Sequence, residues 1–226
     1  MREAHGIVTR NLTRNLPPKE SGKRKQSDIL VSYLDGAAKS GAESANLYVD
    51  EASLYVDNLV EKGNLKEKLL ASKAAKALVF IDDFVGTGES ASKYLSEIDA
   101  TIAESVQERQ IKVVFVALIA FVEGWKRVEE AVDNLSMHVH THRCELLDET
   151  AQYFSDKLSV FTDTNQRELA RQVALKVGKE LVKKIPLGYG DIEMGVVFER
   201  GCPNNSLPIL WAESTNPKWT PLFKRL

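Results

Sequence analysis

Two continuous apolar runs rich in β-branched and aromatic residues, Ala77–Ile81 (ALVFI) and Ile111–Val122 (IKVVFVALIAFV), flank one amphipathic segment, Ser90–Val106. A strand that is apolar at every position has to be buried on both faces, and strands of that kind belong to parallel sheets covered by helices on each side. The amphipathic helical pattern of Ser90–Val106 between the runs completes a βαβ unit. This constrains the chain to a doubly wound α/β architecture, a mainly parallel sheet flanked by helices.

The remaining elements are placed around that unit. Ile29, Leu30, Tyr33, Leu34 and Ala37 recur at helical spacing after Ser27 or Asp28 as a cap, which predicts a helix. Further helical material runs from Leu47 to Val60, and Leu65–Lys76 is rich in helix formers, so the expectation is an extra helical part on the N-terminal side of the sheet. Glu123–Leu135 reads as a helix, Ser136–His142 as an alternating strand, Thr164–Lys184 as a long helix and Ile192–Glu199 as a late strand. Residues 27–226 are taken as one domain, and residues 1–26 as a basic flank or linker.

In that flank Arg2, Arg10, Arg14, Lys19, Lys23, Arg24 and Lys25 outnumber Glu3 and Glu20, and Pro17-Pro18 and Ser21-Gly22 break regular structure. A solvated tether and a contact surface are both open for it. The formal net charge of −2 supplies no global pull on polyanions, so nucleic acid is not the expected partner. No apolar run is long enough to span a membrane and none resembles a secretory signal, so the expected location is the cytoplasm. Cys144 and Cys202 form no CxxC pair and are expected as separate thiols.

The chemistry concentrates directly after the first apolar run, in Asp82-Asp83-Phe84-Val85-Gly86-Thr87-Gly88-Glu89-Ser90. In an open parallel sheet the ligand crevice lies at the carboxyl ends of the strands. Adjacent carboxylates there repel one another unless hydroxyl donors or a divalent cation share their charge. Gly86, Thr87 and Gly88 leave backbone N–H groups uncovered at the start of a helix, where they can converge on an anion, with the Thr87 and Ser90 hydroxyls beside them. Hydroxyls or metal on one side and a phosphate on the other describe a ribose 5-phosphate. A capped βα turn with no ligand is the plainer alternative.

The stretch Leu78–Ser90 resembles the phosphoribosyl pyrophosphate (PRPP) motif of the type I phosphoribosyltransferases. That resemblance implies that Asp82 and Asp83 hold the ribose 2′- and 3′-hydroxyls and act as the catalytic and Mg²⁺-binding pair, while Phe84–Ser90 wrap the 5′-phosphate. Two positions depart from the usual pattern. Phe84 is bulkier than the normal aliphatic residue, and Gly86 stands where purine-salvage members carry an aspartate that assists proton transfer, which puts ordinary purine salvage in doubt. Lys39-Ser40-Gly41 with Asn46–Glu51, the run Val113–Ile119, Pro186–Asp191, Pro203–Trp211 and Trp219–Arg225 are similar to the phosphoribosyltransferase-like effector domains of bacterial conflict and antiphage systems. The resemblance implies a Mg²⁺-dependent protein that binds PRPP or a 5′-nucleotide, with a defence-system protein as a possible partner and self-association open. Its alternative is a nucleotide-sensing regulatory module without turnover.

Three further groups have two readings each. Lys39, Ser40 and Gly41 suit a pyrophosphate-gripping loop or a simple turn between helices. Asn204 and Asn205 can pair with a nucleobase edge, with Trp211 as a stacking face, or can build a tight turn. His138, His140 and His142 alternate on one strand, which suits zinc only if a further ligand such as Cys144 joins them, and otherwise makes an ordinary strand face.

Overall fold

The computed structural model describes residues 1, 3–4, 6–7, 28–34, 40–157, 160–199, 201–216 and 218–225. Most of the basic flank, and Lys39, lie outside the described residues. The chain divides into two compact units, Met1–Leu146 and Leu147–Leu226, a division within the stretch that the sequence suggests is one domain.

The first unit is built on a four-stranded parallel sheet in the order β1-β2-β3-β4. Its elements in chain order are β1 (Ile29–Tyr33), α1 (Ser40–Glu51), α2 (Leu65–Ala71), β2 (Ala77–Val85), α3 (Glu89–Glu108), β3 (Lys112–Phe121), α4 (Val122–Val132) and β4 (Val139–Leu147). Of the helix expected at Ile29–Ala37, residues 35–37 lie outside the described residues, and Ile29–Tyr33 form strand β1 instead, in parallel register with β2 from Ile29↔Ala77 to Tyr33↔Ile81. The pattern Ile29, Leu30, Tyr33, Leu34 fits one helix face, but it equally fits a short strand buried on both sides. Pairing with β2 decides between them, and all five residues of β1 are buried.

Alternation along the strands feeds two cores. Leu30, Leu78, Phe80, Val113 and Phe115 face one side, where Leu65 and Leu69 of α2, Tyr94, Leu95, Ile98 and Ile102 of α3, and Trp125 and Val128 of α4 cover them. Ile29, Val31, Val79, Ile81, Val114 and Val116 face the other, under Ala42, Ala45, Tyr48 and Val49 of α1. Each large side chain buried this way contributes about 1.5–3 kcal/mol. Buried polar groups along β1 are matched: Ser32 Oγ and the Tyr94 hydroxyl lie 3.1 Å apart, and Asn58 Nδ2 donates to the Ile29 carbonyl at 3.0 Å. α2 stops at Ala71, short of the continuous run to Lys76, and the Arg109 guanidinium donates to the Leu69 and Ser72 carbonyls at that end.

The second unit holds the long helix α5 (Thr164–Leu181), the short α6 (Pro208–Trp211) and a small hairpin, β5 (Ser214–Thr215) with β6 (Lys218–Trp219). Asp163 caps α5 by accepting from the Asn165 and Gln166 amides. The late strand expected over Ile192–Glu199 does not form. Glu193 sits at φ 59°, a left-handed backbone that cannot continue a strand, and Met194 makes only isolated bridges to Gln152 and Ser206.

Candidate functional site

β2 runs four residues further than the apolar run that announces it, so Asp82 and Asp83 are part of the strand. Asp82 pairs with Ala117 in β3, and Phe84 and Val85 pair with Ile119 and Ala120. Burial falls from complete at Ile81 to partial at Asp82, Asp83 and Phe84, and Val85 returns to the core. Strand alternation would send the two carboxylates to opposite faces. Both nonetheless reach the N-terminus of α1. The Ser40 hydroxyl donates to Asp83 Oδ1 at 3.1 Å, and a Cβ added to Gly41 would lie 3.7 Å from Asp82 Oδ1. A positive helix end beside paired carboxylates is the favourable polarity.

Burial pushes the Asp83 carboxyl above the usual aspartate range. The Ser40 hydroxyl, the Asp83 and Phe84 backbone amides and the Asp82 side chain all hydrogen-bond to it and pull the other way, without offsetting the desolvation. The donor set is oxygen-rich, anionic and partly withdrawn from water, which fits a hard divalent cation such as Mg²⁺ or a pair of hydroxyl donors.

After Val85 the chain turns through Gly86, Thr87 and Gly88 into α3, a helix of 20 residues. Gly88 has φ 73°, a conformation that strains any residue with a side chain. The Glu89 amide reaches back to Thr87 Oγ1 at a long 3.4 Å. The first turn of α4 supports the loop. A Cβ on Gly88 would collide with the Gly124 carbonyl, and one on Gly124 would collide with the Gly86 carbonyl. Glycine faces glycine because the two backbones touch, and that contact holds the loop with Gly86 and Gly88 buried against α4. Gly124 was not singled out from the sequence. Its only signal is a glycine in the opening turn of a helix, where propensity alone disfavours it.

The structure thus brings Ser40, Gly41, Asp82, Asp83 and the Gly86–Ser90 turn together within the first unit, with Glu89 and Ser90 exposed. Asn204 and Asn205 belong to the second unit. Asn205 is buried, and its Nδ2 donates to the Tyr189 carbonyl at 2.9 Å, while the Tyr189 amide donates to the Asn204 carbonyl at 2.7 Å. Trp211 is buried too, and its Nε1 donates to the Ser206 carbonyl. On β4 and the residue before it, the His138 and His140 rings meet edge to face with centroids 4.4 Å apart, and burial followed by the neighbouring His138 and Lys112 hold His140 below the ordinary histidine pKa.

No curated protein matches the sequence. The family model PRTase-CE matches residues 2–225, nearly the whole chain. Paired carboxylates in the last half of a central strand, a glycine turn opening the next helix and a family match across both units agree: the chain belongs to PRTase-CE, a phosphoribosyltransferase-like family.

Proposed function

We propose that this phosphoribosyltransferase-like protein binds a 5-phosphoribosyl ligand, PRPP or a 5′-nucleotide, with Mg²⁺, at the end of β2. The observation that carries the reading is the Asp82–Asp83 pair and the Gly86–Gly88 turn in one stretch of chain, the first beside Ser40 at the start of α1 and the second seated on Gly124.

In this reading Asp82 and Asp83 accept hydrogen bonds from the ribose hydroxyls and fix the sugar. The N–H groups of the Gly86–Ser90 turn donate to the 5′-phosphate, helped by the N-terminal end of α3. Ser40 holds Asp83 in place through its hydroxyl. Asp82 and Asp83 would also hold Mg²⁺, which when bound supplies charge neutralisation for pyrophosphate. With the sugar gripped at both ends, C1′ is held for displacement through an oxocarbenium-like state, and positioning provides most of the acceleration. Gly86 offers no side chain as a base, so any proton transfer at the acceptor needs another group.

That absence also favours a second reading, a nucleotide sensor that binds without turnover and regulates a partner. As part of the same proposal, either form acts in a bacterial defence system, a reading supported by the resemblance to antiphage effector domains. Calorimetry with PRPP and Mg²⁺ tests the site: saturable binding is expected, and the double substitution Asp82→Asn with Asp83→Asn should abolish it. Unchanged affinity in that variant would end the assignment. Incubation with PRPP, Mg²⁺ and a panel of bases, or with nucleotides and pyrophosphate, separates transferase from sensor by whether product accumulates.

A further inference from the structure

β4 carries a second set of donors, apart from the carboxylate pair. His142 and Cys144 are two residues apart on this strand, so both side chains project from the same face. Ala4 is fully buried in the core that includes Tyr48, Val114 and Val116, and Cys144 packs against the same cluster. Docking of Ala4 carries its neighbour Glu3 to the strand. One ligand atom from each of Glu3, His142 and Cys144 lies within 4.8 Å of the others, and Glu3 Oε1 is 3.9 Å from His142 Nε2.

We infer that Glu3, His142 and Cys144 form a binding site for a late first-row divalent ion, with zinc the best chemical match. A tetrahedral zinc with bonds of about 2.0–2.3 Å spaces its ligand atoms about 3.3–3.8 Å apart. The Glu3–His142 separation of 3.9 Å lies just beyond that range and no pair exceeds 4.8 Å, so ligation needs shifts of at most about 1.5 Å, for which the Glu3 side chain, 61% exposed, has freedom. Imidazole and thiolate select a borderline or soft ion and disfavour Mg²⁺, which requires oxygen ligands. Three protein ligands leave a fourth position for water or a further donor. The site joins the N-terminal segment to the far edge of the sheet, and it does not depend on the phosphoribosyl reading.

The test uses the untagged 226-residue chain with its thiols reduced and Mg²⁺ in excess, loaded with cobalt(II) or zinc and desalted. One equivalent of metal per chain is expected, with a thiolate-to-cobalt charge-transfer band and the visible spectrum of a tetrahedral site. Cys144→Ser should abolish the band, and Glu3→Gln or His142→Gln should weaken zinc by at least about tenfold. Cys202→Ser and the Asp82→Asn/Asp83→Asn variant should keep both band and stoichiometry, with circular dichroism checking that each variant is folded. Wild-type protein that retains no metal, or that shows cobalt without a thiolate band, overturns the inference whatever the variants do. So does equal retention by Cys144→Ser, which would reduce the cluster to a Glu3–His142 ion pair beside a cysteine.

Discussion

Asp83 is held where an ionised carboxylate is disfavoured, because burial outweighs its hydrogen bonds with Ser40, the backbone and the Asp82 carboxyl. A folded-state pKa raised above the unfolded value means that the folded protein holds this proton more tightly than the unfolded chain does. The associated stability is fully present below the unfolded pKa, about 3.9, and is lost as pH rises through the folded pKa. At neutral pH the ionised residue therefore lowers stability. Asp83→Asn, which keeps an oxygen for the Ser40 hydroxyl, is expected to raise the urea midpoint at about pH 7, by less at about pH 4, while eliminating Mg²⁺-dependent ligand binding. A lower midpoint for the variant at neutral pH would show that the hydrogen bonds to Asp83 outweigh its burial. The motif containing Asp83 was legible from neighbouring residues alone. Its partner Ser40 stands out in the sequence too, but as part of a pyrophosphate loop or a turn, and only the fold places its hydroxyl on Asp83.

Among elements, the contact between the β2–α3 turn and the first turn of α4 governs the phosphate end of the site. Gly124→Ala forces a Cβ into the Gly86 carbonyl, and the backbone has to separate. Overpacking of this kind costs about 1–3 kcal/mol. Because the displaced atoms belong to the anion-binding turn, ligand affinity should fall more than the loss of stability alone explains; parallel melts and calorimetry check this. Gly63→Ala is the control. Nothing lies within 4 Å of the added Cβ, so stability should stay the same or rise slightly. β2 and β3 could be recognised because each contains an unbroken buried stretch, Ala77–Ile81 and Val113–Ala117, a pattern that no surface element shares. β1 could not, since Ile29, Leu30, Tyr33 and Leu34 satisfy a helical face as well as a two-sided strand, and only the register with β2 distinguishes them. The segment Ile192–Glu199 failed in the opposite direction: its apolar content suits a strand, but Glu193 adopts a positive φ.

For the whole molecule, ligand binding and stability are linked by mass action. A ligand at 100 times its Kd adds about 2.7 kcal/mol to the folded state. For a chain of this length that is about 5–10 °C in the melting transition of the unit that binds it. Differential scanning fluorimetry with PRPP and Mg²⁺ should show such an increase in the wild type and none in Asp82→Asn/Asp83→Asn; equal shifts in both would place the ligand elsewhere. Among the described residues no helix is long and apolar enough to cross a membrane. The residue pattern by itself determined the βαβ unit, the helices on both faces of the sheet and the Asp-Asp and glycine-turn motif, because each is encoded in the hydrophobicity and side-chain size of consecutive residues. Only the tertiary structure made Ile29–Tyr33 a strand, set Gly124 under the glycine turn and brought Glu3 beside His142 and Cys144. Those arrangements join residues far apart in the chain, and no local pattern records which distant backbone a given residue will meet.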